Sequence, residues 1–478
     1  MKKITLFLLG IITLFVIVLF NAPVLALTPK HYTDLTFPPL KDVEIPAYER
    51  YQLDNGMVVY LMEDHSLPLV SGTAIIRTGN RLEPAEKLGL AELTGTVMRS
   101  GGTQQHPADE LNQILEDKAA TVETSIGETF GSATFESLTD DLDTVFNLFV
   151  EVLRSPLFPE DKLQLAKQQL NGSIARRNDN PDAIANREFN RVIYGENSPY
   201  ARTIEYATVN AINLQDVLNF YQQYFYPNHI TLGIVGDFNS QKIKQLINNK
   251  FGDWQPIKID YTIPSAEQQN QNKVFLINQP QLTQSNIRIG HIAGKANDPD
   301  YATLTVLNGV LNGFGGRLFN EIRSRQGLAY SVYGQWQANF DYPGIFIGGG
   351  QTRSDATVPF IQSLKREIEN IRNNPISEAE LAYARDSILN SFVFNFQTPN
   401  QTLSRLMRYE YFDYPADFIF TYQKNVKTTT IEEVQTAAQK YLQPDKLVTL
   451  VVGNEAEINP SLSSLNQEIT TLDITIPN

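Results

Sequence analysis

The sequence predicts an α+β protein of two homologous domains, each a mixed, mostly antiparallel sheet with helices packed on one face. Three observations lead there. The chain has 478 residues, too many for one hydrophobic core. Its strand-like stretches come as hairpins and meanders separated by runs of helix, unlike the strict alternation of a doubly wound sheet. Finally, the pattern Tyr224-Phe225-Tyr226-Pro227-Asn228-His229 followed by Ile230 to Gly236 recurs in outline from Tyr441 to Gly453. Each copy reads as helix, proline turn, buried strand and glycine, and each stands near the end of one of two equal halves.

The elements follow in order. Met1-Lys2-Lys3, the apolar run Ile4 to Phe20 and the small residues up to Ala26 form an export signal expected to be cleaved after Ala26, with retention as an anchor the alternative. Residues 27–45 are a loosely patterned lead-in. Arg50 to Met62 reads as strand, Asn55-Gly56 turn, strand. Val70 to Thr78 is a further strand, and Leu88 to Met98 a helix ending near Ser100-Gly101-Gly102. A short helix from Pro107 to Leu115 leads into Thr121 to Ser137, where alternating Thr, Ser, Val and Phe predict strands. Leu142 to Leu153, Glu160 to Arg177 and Asn213 to Tyr224 have helical spacing. The polar tract Pro264 to Asn272 reads as linker. In the second half, Asn286 to His291 and the helix from Tyr301 repeat the strand and helix that begin at Ser71.

Composition narrows the function. The formal net charge of -14 excludes a nucleic-acid binder, which needs a basic footprint. No cysteine is present, so an exported chain of this size relies on core burial rather than disulfides, as suits the periplasm or another extracytoplasmic compartment of a bacterium. Beyond the N-terminal segment no stretch is long and apolar enough to span a membrane. The five histidines, His31, His65, His106, His229 and His291, include no pair three or four apart, so no helix offers two imidazoles to a metal. His229 reads as structural, and His65 and His106 as solvated loop residues. Asp140-Asp141 is helix N-terminal charge without an evident partner. Gly348-Gly349-Gly350 opens onto no lysine and reads as a turn, not a phosphate loop.

The richest stretch runs from Gly316 to Tyr333. It predicts a helix that stops at Gly327 and feeds a strand, with Arg323 and Tyr330 seven residues apart across the junction. That arrangement is able to aim a permanent cation and a phenol into one cleft. It equally describes a solvated arginine and a half-buried tyrosine.

Together with Leu53-Asp54-Asn55-Gly56, Gly89-Leu90-Ala91, Asn180-Pro181, Ser198-Pro199-Tyr200, Tyr226-Pro227-Asn228 and Gly236-Asp237-Phe238, this stretch resembles the insulinase/pitrilysin family of zinc metallopeptidases in its short two-domain form. The resemblance implies an N-terminal domain over 46–257, a linker over 258–272, a C-terminal domain over 273–470 and a tail over 471–478, the domains facing each other as half of a clam-shell. Active members carry an inverted His-x-x-Glu-His on the first helix and a downstream acidic ligand. The matching positions here are Glu92, Gly95, Thr96 and Ser173. All four are substituted, so the resemblance implies no cofactor bound by this chain.

Arg323 and Tyr330, by contrast, match the pair that binds the substrate carbonyl and stabilises the oxyanion. Glu128-Thr129-Phe130 follows a strand, Thr121 to Thr124, that in the family takes a substrate strand at a sheet edge. The implied function is a non-catalytic subunit of a heterodimeric zinc peptidase, with zinc in a homologous partner subunit bearing His-x-x-Glu-His and a peptide as substrate. The alternative is a catalytically inert peptide-binding or scaffold protein of the cell envelope.

Overall fold

In the computed structural model, residues 43–258 and 262–477 are described. The expected signal, 1–26, and the lead-in up to residue 42 lie outside them. Everything below belongs to the unit Glu44–Asn478.

The first half contains β1 (Glu49–Gln52), β2 (Val58–Glu63), β3 (Leu69–Ile76), α1 (Leu90–Ser100), α2 (Ala108–Asp117), β4 (Thr121–Ile126), β5 (Gly131–Leu138), α3 (Leu142–Arg154), α4 (Glu160–Ala175), α5 (Pro181–Tyr194), α6 (Tyr206–Ala211), α7 (Leu214–Tyr224), β6 (Ile230–Gly236) and α8 (Ser240–Phe251). The second half contains β7 (Lys273–Asn278), β8 (Gln284–Ile292), α9 (Tyr301–Leu311), a π-helix (Phe319–Arg325), β9 (Ala329–Gln337), β10 (Ile345–Arg353), α10 (Thr357–Asn373), α11 (Glu378–Ser391), α12 (Pro399–Tyr411), α13 (Phe418–Thr428), α14 (Ile431–Tyr441), β11 (Val448–Gly453) and β12 (Glu468–Thr471).

Local chemistry sets many of these boundaries. Asn180 accepts hydrogen bonds from the Asp182 and Ala183 backbone N–H groups, with Pro181 opening α5. Reciprocal capping boxes start α7 (Asn213 with Asp216), α11 (Ser377 with Glu380) and α14 (Thr430 with Glu433).

The strands form two six-stranded sheets, ordered β1-β2-β6-β3-β5-β4 and β12-β7-β11-β8-β10-β9. Five strands correspond one to one. β2 and β6 pair in parallel, as do β7 and β11, and the next three strands of each sheet are antiparallel. The repeat seen at Tyr224 and Tyr441 is thus the entry into the equivalent strands β6 and β11. The sixth strand differs. β1 pairs antiparallel with β2 across the Asn55-Gly56 turn, whereas β12 pairs in parallel with β7.

Each sheet packs one face on helices of its own half. Phe135, Phe146, Phe149 and Phe251 cluster under the first sheet, and Ile287, Leu304, Leu307 and Phe360 under the second. The other face is covered by the opposite half. Leu403, Leu406, Met407 and Tyr411 of α12 lie on Tyr60, Met62, Ile75 and Val235 of the first sheet. Ile184, Phe189, Val192 and Ile193 of α5 lie on Phe275, Ile277, Ile347 and Leu450 of the second. This exchange explains why β6 and β11 are aliphatic along their whole length: both faces are buried. Gly233 of β6 permits the close approach, since a Cβ there would stand 2.2 Å from the Met407 sulfur. A bidentate pair between Arg50 of β1 and Glu410 of α12, with Tyr60 Oη donating to Glu410 at 2.8 Å, adds polar contacts to the seam.

Gly348-Gly349-Gly350 is not a turn. The three glycines lie mid-strand in β10, paired with β8 on one side and β9 on the other. Bare backbone there leaves room for Arg288 and Tyr333, whose guanidinium and ring stand 5.7 Å apart. No helix among the described residues is long and apolar enough to cross a membrane.

Candidate functional site

Arg323 and Tyr330 meet through two backbone irregularities. After α9 the chain turns through Asn312-Gly313-Phe314-Gly315-Gly316 and enters the π-helix. Its wider winding shows in the Gln326 N–H, which donates to Glu321 O at 3.1 Å, five residues back. Leu318 and Ile322 are buried in the second core. Arg317 is fixed to Glu380 and Arg325 to Glu321. The helix ends at Gly327, with φ +62°.

β9 then begins with a bulge. Ala329 opposes Thr352 and Ser331 opposes Gln351, so Tyr330 is the extra residue. A bulge re-aims the side chain it carries, and Tyr330 is 80% exposed. Asn312 clamps the far end of the arrangement, donating to Gly334 O at 2.6 Å and accepting from Gly334 N at 3.0 Å.

The Arg323 guanidinium carbon consequently sits 5.0 Å from the Tyr330 ring centroid and 4.7 Å from that of Phe319. Stacking on two rings holds the plane of the fork and leaves its N–H edges open. Arg323 has no hydrogen-bond or ion-pair partner among the described residues, whereas Arg317 and Arg325 on either side are both paired. A shallow pocket of about 280 Å³ lies beside the pair. Two of its walls, Phe314 and Phe319, stack edge to face at 5.1 Å. Neither phenylalanine stood out in the sequence. The available signal was an aromatic residue between glycines, Gly313-Phe314-Gly315.

The four positions matched to a zinc site lie on two helices. Glu92 and Thr96 are on the exposed face of α1, one turn apart, and Ser173 is on the exposed face of α4, its hydroxyl donating to Gln169 O at 3.3 Å. Although Glu92 reaches the surface, the protein around it partly desolvates its carboxyl and pushes it above the ordinary range. Gly95 faces the other way and is packed on β4. A Cβ at Gly95 would stand 2.8 Å from Ile126 N and 3.0 Å from Ser125 C, and Thr124 Oγ1 donates to Gly95 O at 2.6 Å.

A zinc ion needs imidazole, thiolate or several carboxylate ligands converging on one point. One carboxylate and two hydroxyls do not supply that set, and the strand occupies the space a side chain at 95 requires. These residues do not fit zinc. Among the described residues no group of three or more His, Cys, Asp or Glu side chains is placed to hold a metal ion.

β4 is one edge strand of the first sheet and β9 one edge strand of the second. The loop after β4 serves the seam between the halves. Tyr411 Oη donates to Thr129 O at 2.6 Å, and Phe130 packs on the Tyr411 ring. Arg81, which is buried, pairs with the half-buried Asp341 at 2.7 Å, and Tyr200 stacks on Tyr342 at 3.8 Å. Glu128 faces this cluster, and burial raises its carboxyl despite the hydrogen bond from Tyr342 and the charge of Arg81. These residues come from distant stretches, so no local pattern announces their meeting.

Among the described residues the histidines do not converge. His65 is exposed but not merely solvated, since Nδ1 lies 2.6 Å from Asp237 and Nε2 3.2 Å from Glu63. His106 Nδ1 is 2.8 Å from Glu151. His229 and His291 are buried, and His31 lies outside the described residues. Asp141 also has a partner, Lys118.

Comparison with known proteins agrees with this architecture. Residues 58–208 match the insulinase (peptidase family M16) model and residues 211–388 the peptidase M16 inactive domain. The chain is 24% identical to the "Non-peptidase homolog YmxG" of Helicobacter pylori, over 82% of this chain and 91% of that one. Among solved structures, a peptidase M16 inactive domain from Pseudomonas fluorescens superposes with a TM-score of 0.78 at 22% identity, covering 87% of this chain and 100% of that one. The periplasmic protease PqqL from Escherichia coli gives a TM-score of 0.73 at 15% identity, covering 89% of this chain and 49% of that one. With both domain models matched in order along it, and with two sheets of equivalent strand order, this chain belongs to the insulinase (M16) family.

Proposed function

We propose that this chain is the non-catalytic subunit of an exported two-chain peptidase. It lends Arg323 and Tyr330 to a site whose metal and attacking water belong to a homologous partner. One observation carries the reading: Arg323 keeps its N–H donors free between two aromatic rings while its neighbouring arginines are ion-paired.

In this arrangement the guanidinium and the Tyr330 hydroxyl donate to the carbonyl oxygen of the scissile peptide. As the carbonyl carbon turns tetrahedral, its oxygen gains negative charge. A fixed cation and a phenolic donor stabilise that charge more than they stabilise the neutral carbonyl, which is the condition for accelerating the step. Two further facts support pairing. The fold of this chain matches about half of the PqqL chain, and the Glu92, Gly95, Thr96 and Ser173 positions do not fit zinc. Lys2, Lys3 and the apolar run to Phe20 support export.

The test is purification of the native complex, followed by metal analysis and peptide turnover. Arg323→Ala and Tyr330→Phe are expected to leave assembly intact and lower kcat about 10²–10³-fold. Unchanged turnover in both variants overturns the proposal. A complex that binds peptide without hydrolysing it points to the scaffold function instead.

A further inference from the structure

At one end of the first sheet three leucines stand in the open. Leu69 of β3 and Leu138 of β5 are cross-strand partners, 49% and 44% exposed, and Leu67 in the loop before them is 60% exposed. Ser71 opposes Val235, which packs on α12, so Leu69, two residues from Ser71, lies on the face that α12 covers. Leu67 and Leu69, with Val235 and Pro399, wall a cavity of about 410 Å³, a volume within the range of ligand sites. Scattered exposed apolar residues are ordinary on protein surfaces. The duplicated fold supplies a control for this cluster. By strand order and register, β3 and β5 correspond to β8 and β10, and the pair Leu69–Leu138 to Gln284–Arg353. There Gln284 is exposed and Arg353 pairs with Asp355 at 3.1 Å. The fold therefore accepts polar residues at this place, and the leucines are not needed to close the sheet.

The cavity is also acidic. Asp64 and Glu136 line it, and no lysine or arginine does. Among the described residues the Asp64 carboxylate accepts only the Ser66 backbone N–H, at 3.1 Å, and the Glu136 carboxylate has no partner. At the places equivalent to Glu136 and Ser71, the second sheet has Gln351 and Asn286, which bond each other at 2.8 Å. The first turn of α12 does not make this an anion site. Thr398 Oγ1 already accepts the Gln401 N–H at 3.2 Å, and Pro399 has no N–H to offer. We propose that this cavity docks a polypeptide segment in which a large aliphatic side chain is flanked by lysine or arginine. The aliphatic chain displaces water from the leucines, and the flanking cations meet the two unpaired carboxylates. The proposal does not depend on the role given to Arg323 and Tyr330.

The test uses the purified full chain and three capped tripeptides, Lys-Leu-Lys, Glu-Leu-Glu and Lys-Gly-Lys, with binding followed by saturation-transfer NMR. Lys-Leu-Lys is expected to bind about tenfold more tightly than either of the others. Its advantage over Glu-Leu-Glu should shrink as salt is raised. Leu69→Gln is expected to remove the advantage over Lys-Gly-Lys. That variant should fold, because it installs the residue that the second sheet carries at the equivalent place. Leu67→Ser, at an exposed loop position, repeats the test without touching a strand. Asp64→Asn combined with Glu136→Gln is expected to remove the advantage over Glu-Leu-Glu.

Equal binding of all three peptides, or none, overturns the proposal. So does a preference for leucine that ignores charge, or a preference for charge that ignores leucine. Preferences that survive both leucine variants and the neutralised carboxylates place the peptide elsewhere and overturn it as well. Arg323→Ala is expected to leave all three peptides unchanged. Loss of Lys-Leu-Lys binding in that variant would assign the peptide to the Arg323 pocket and end the docking site.

Discussion

Arg323 stacks on Tyr330 at 5.0 Å because one residue lies in a π-helix and the other in a β-bulge. Both deviations change the direction in which a side chain leaves the backbone. Their combination brings a guanidinium and a phenol to one spot at a sheet edge. If the pair serves as an oxyanion ligand, geometry matters as much as charge. Arg323→Lys keeps the charge but loses the planar fork and the stacking. In the reconstituted complex kcat/KM is expected to fall at least about tenfold with Lys. Activity equal to that of the parent would show that charge alone suffices.

Gly95 is closed in by β4. Placing metal ligands at Glu92, Thr96 and Ser173 leaves β4 packed against α1 at 2.8 Å from the position of a Cβ on Gly95. Gly95→Glu is expected to destabilise the chain by about 1–3 kcal/mol, as overpacking does, seen as a lower midpoint in urea. The fourfold change Glu92→His, Gly95→Glu, Thr96→His and Ser173→Glu is expected to gain no stoichiometric zinc by calorimetry. Tight zinc binding by a stably folded variant would disprove the closure described here.

The exchanged helices bind the halves together. Met407 is buried between α12 and the first sheet, directly over Gly233. Met407→Ala is expected to cost about 2–5 kcal/mol. Gly233→Val, which forces the helix off the strand, should cost a comparable amount. Denaturant unfolding of both variants measures this. A loss below about 0.5 kcal/mol for Met407→Ala would mean that α12 is held chiefly by its polar contacts.

His291 is expected to make the second domain acid-sensitive. Its Nδ1 lies 2.7 Å from Ile292 O, and its Nε2 accepts from Gln443 N at 3.1 Å, which fixes a neutral ring with Nδ1 protonated. Burial lowers its pKa to about 4, while the unfolded chain titrates near the ordinary value of about 6.5. The unfolded state therefore binds the extra proton first. Stability contributed by the neutral ring is present above about pH 6.5 and is lost as pH falls towards 4, by an amount of about 3 kcal/mol. Stability measured against pH should show this slope, and His291→Gln should flatten it while lowering stability near neutrality. His229, also lowered by burial, adds to the same window. An unchanged slope in the His291 variant would assign the effect elsewhere.

The sequence by itself determined the repeat, the α+β class and most element positions. Period-2 patterns at Thr121–Ile126 and aliphatic runs at Ile230–Gly236 are local, so their physics is readable residue by residue. That Glu92, Gly95, Thr96 and Ser173 include one carboxylate and no histidine was legible for the same reason.

Tertiary structure decided what long-range packing controls. The mid-strand place of Gly348–Gly350 follows from pairing on both sides, which overrides glycine's turn preference. The exchange of α5 and α12 across the sheets and the seam around Arg81, Glu128 and Asp341 join residues far apart in the chain. Arg323 and Tyr330 drew attention as a spacing. Only the folded backbone, wound wide at one residue and bulged at the other, turned that spacing into a stacked, outward-facing pair beside Phe314.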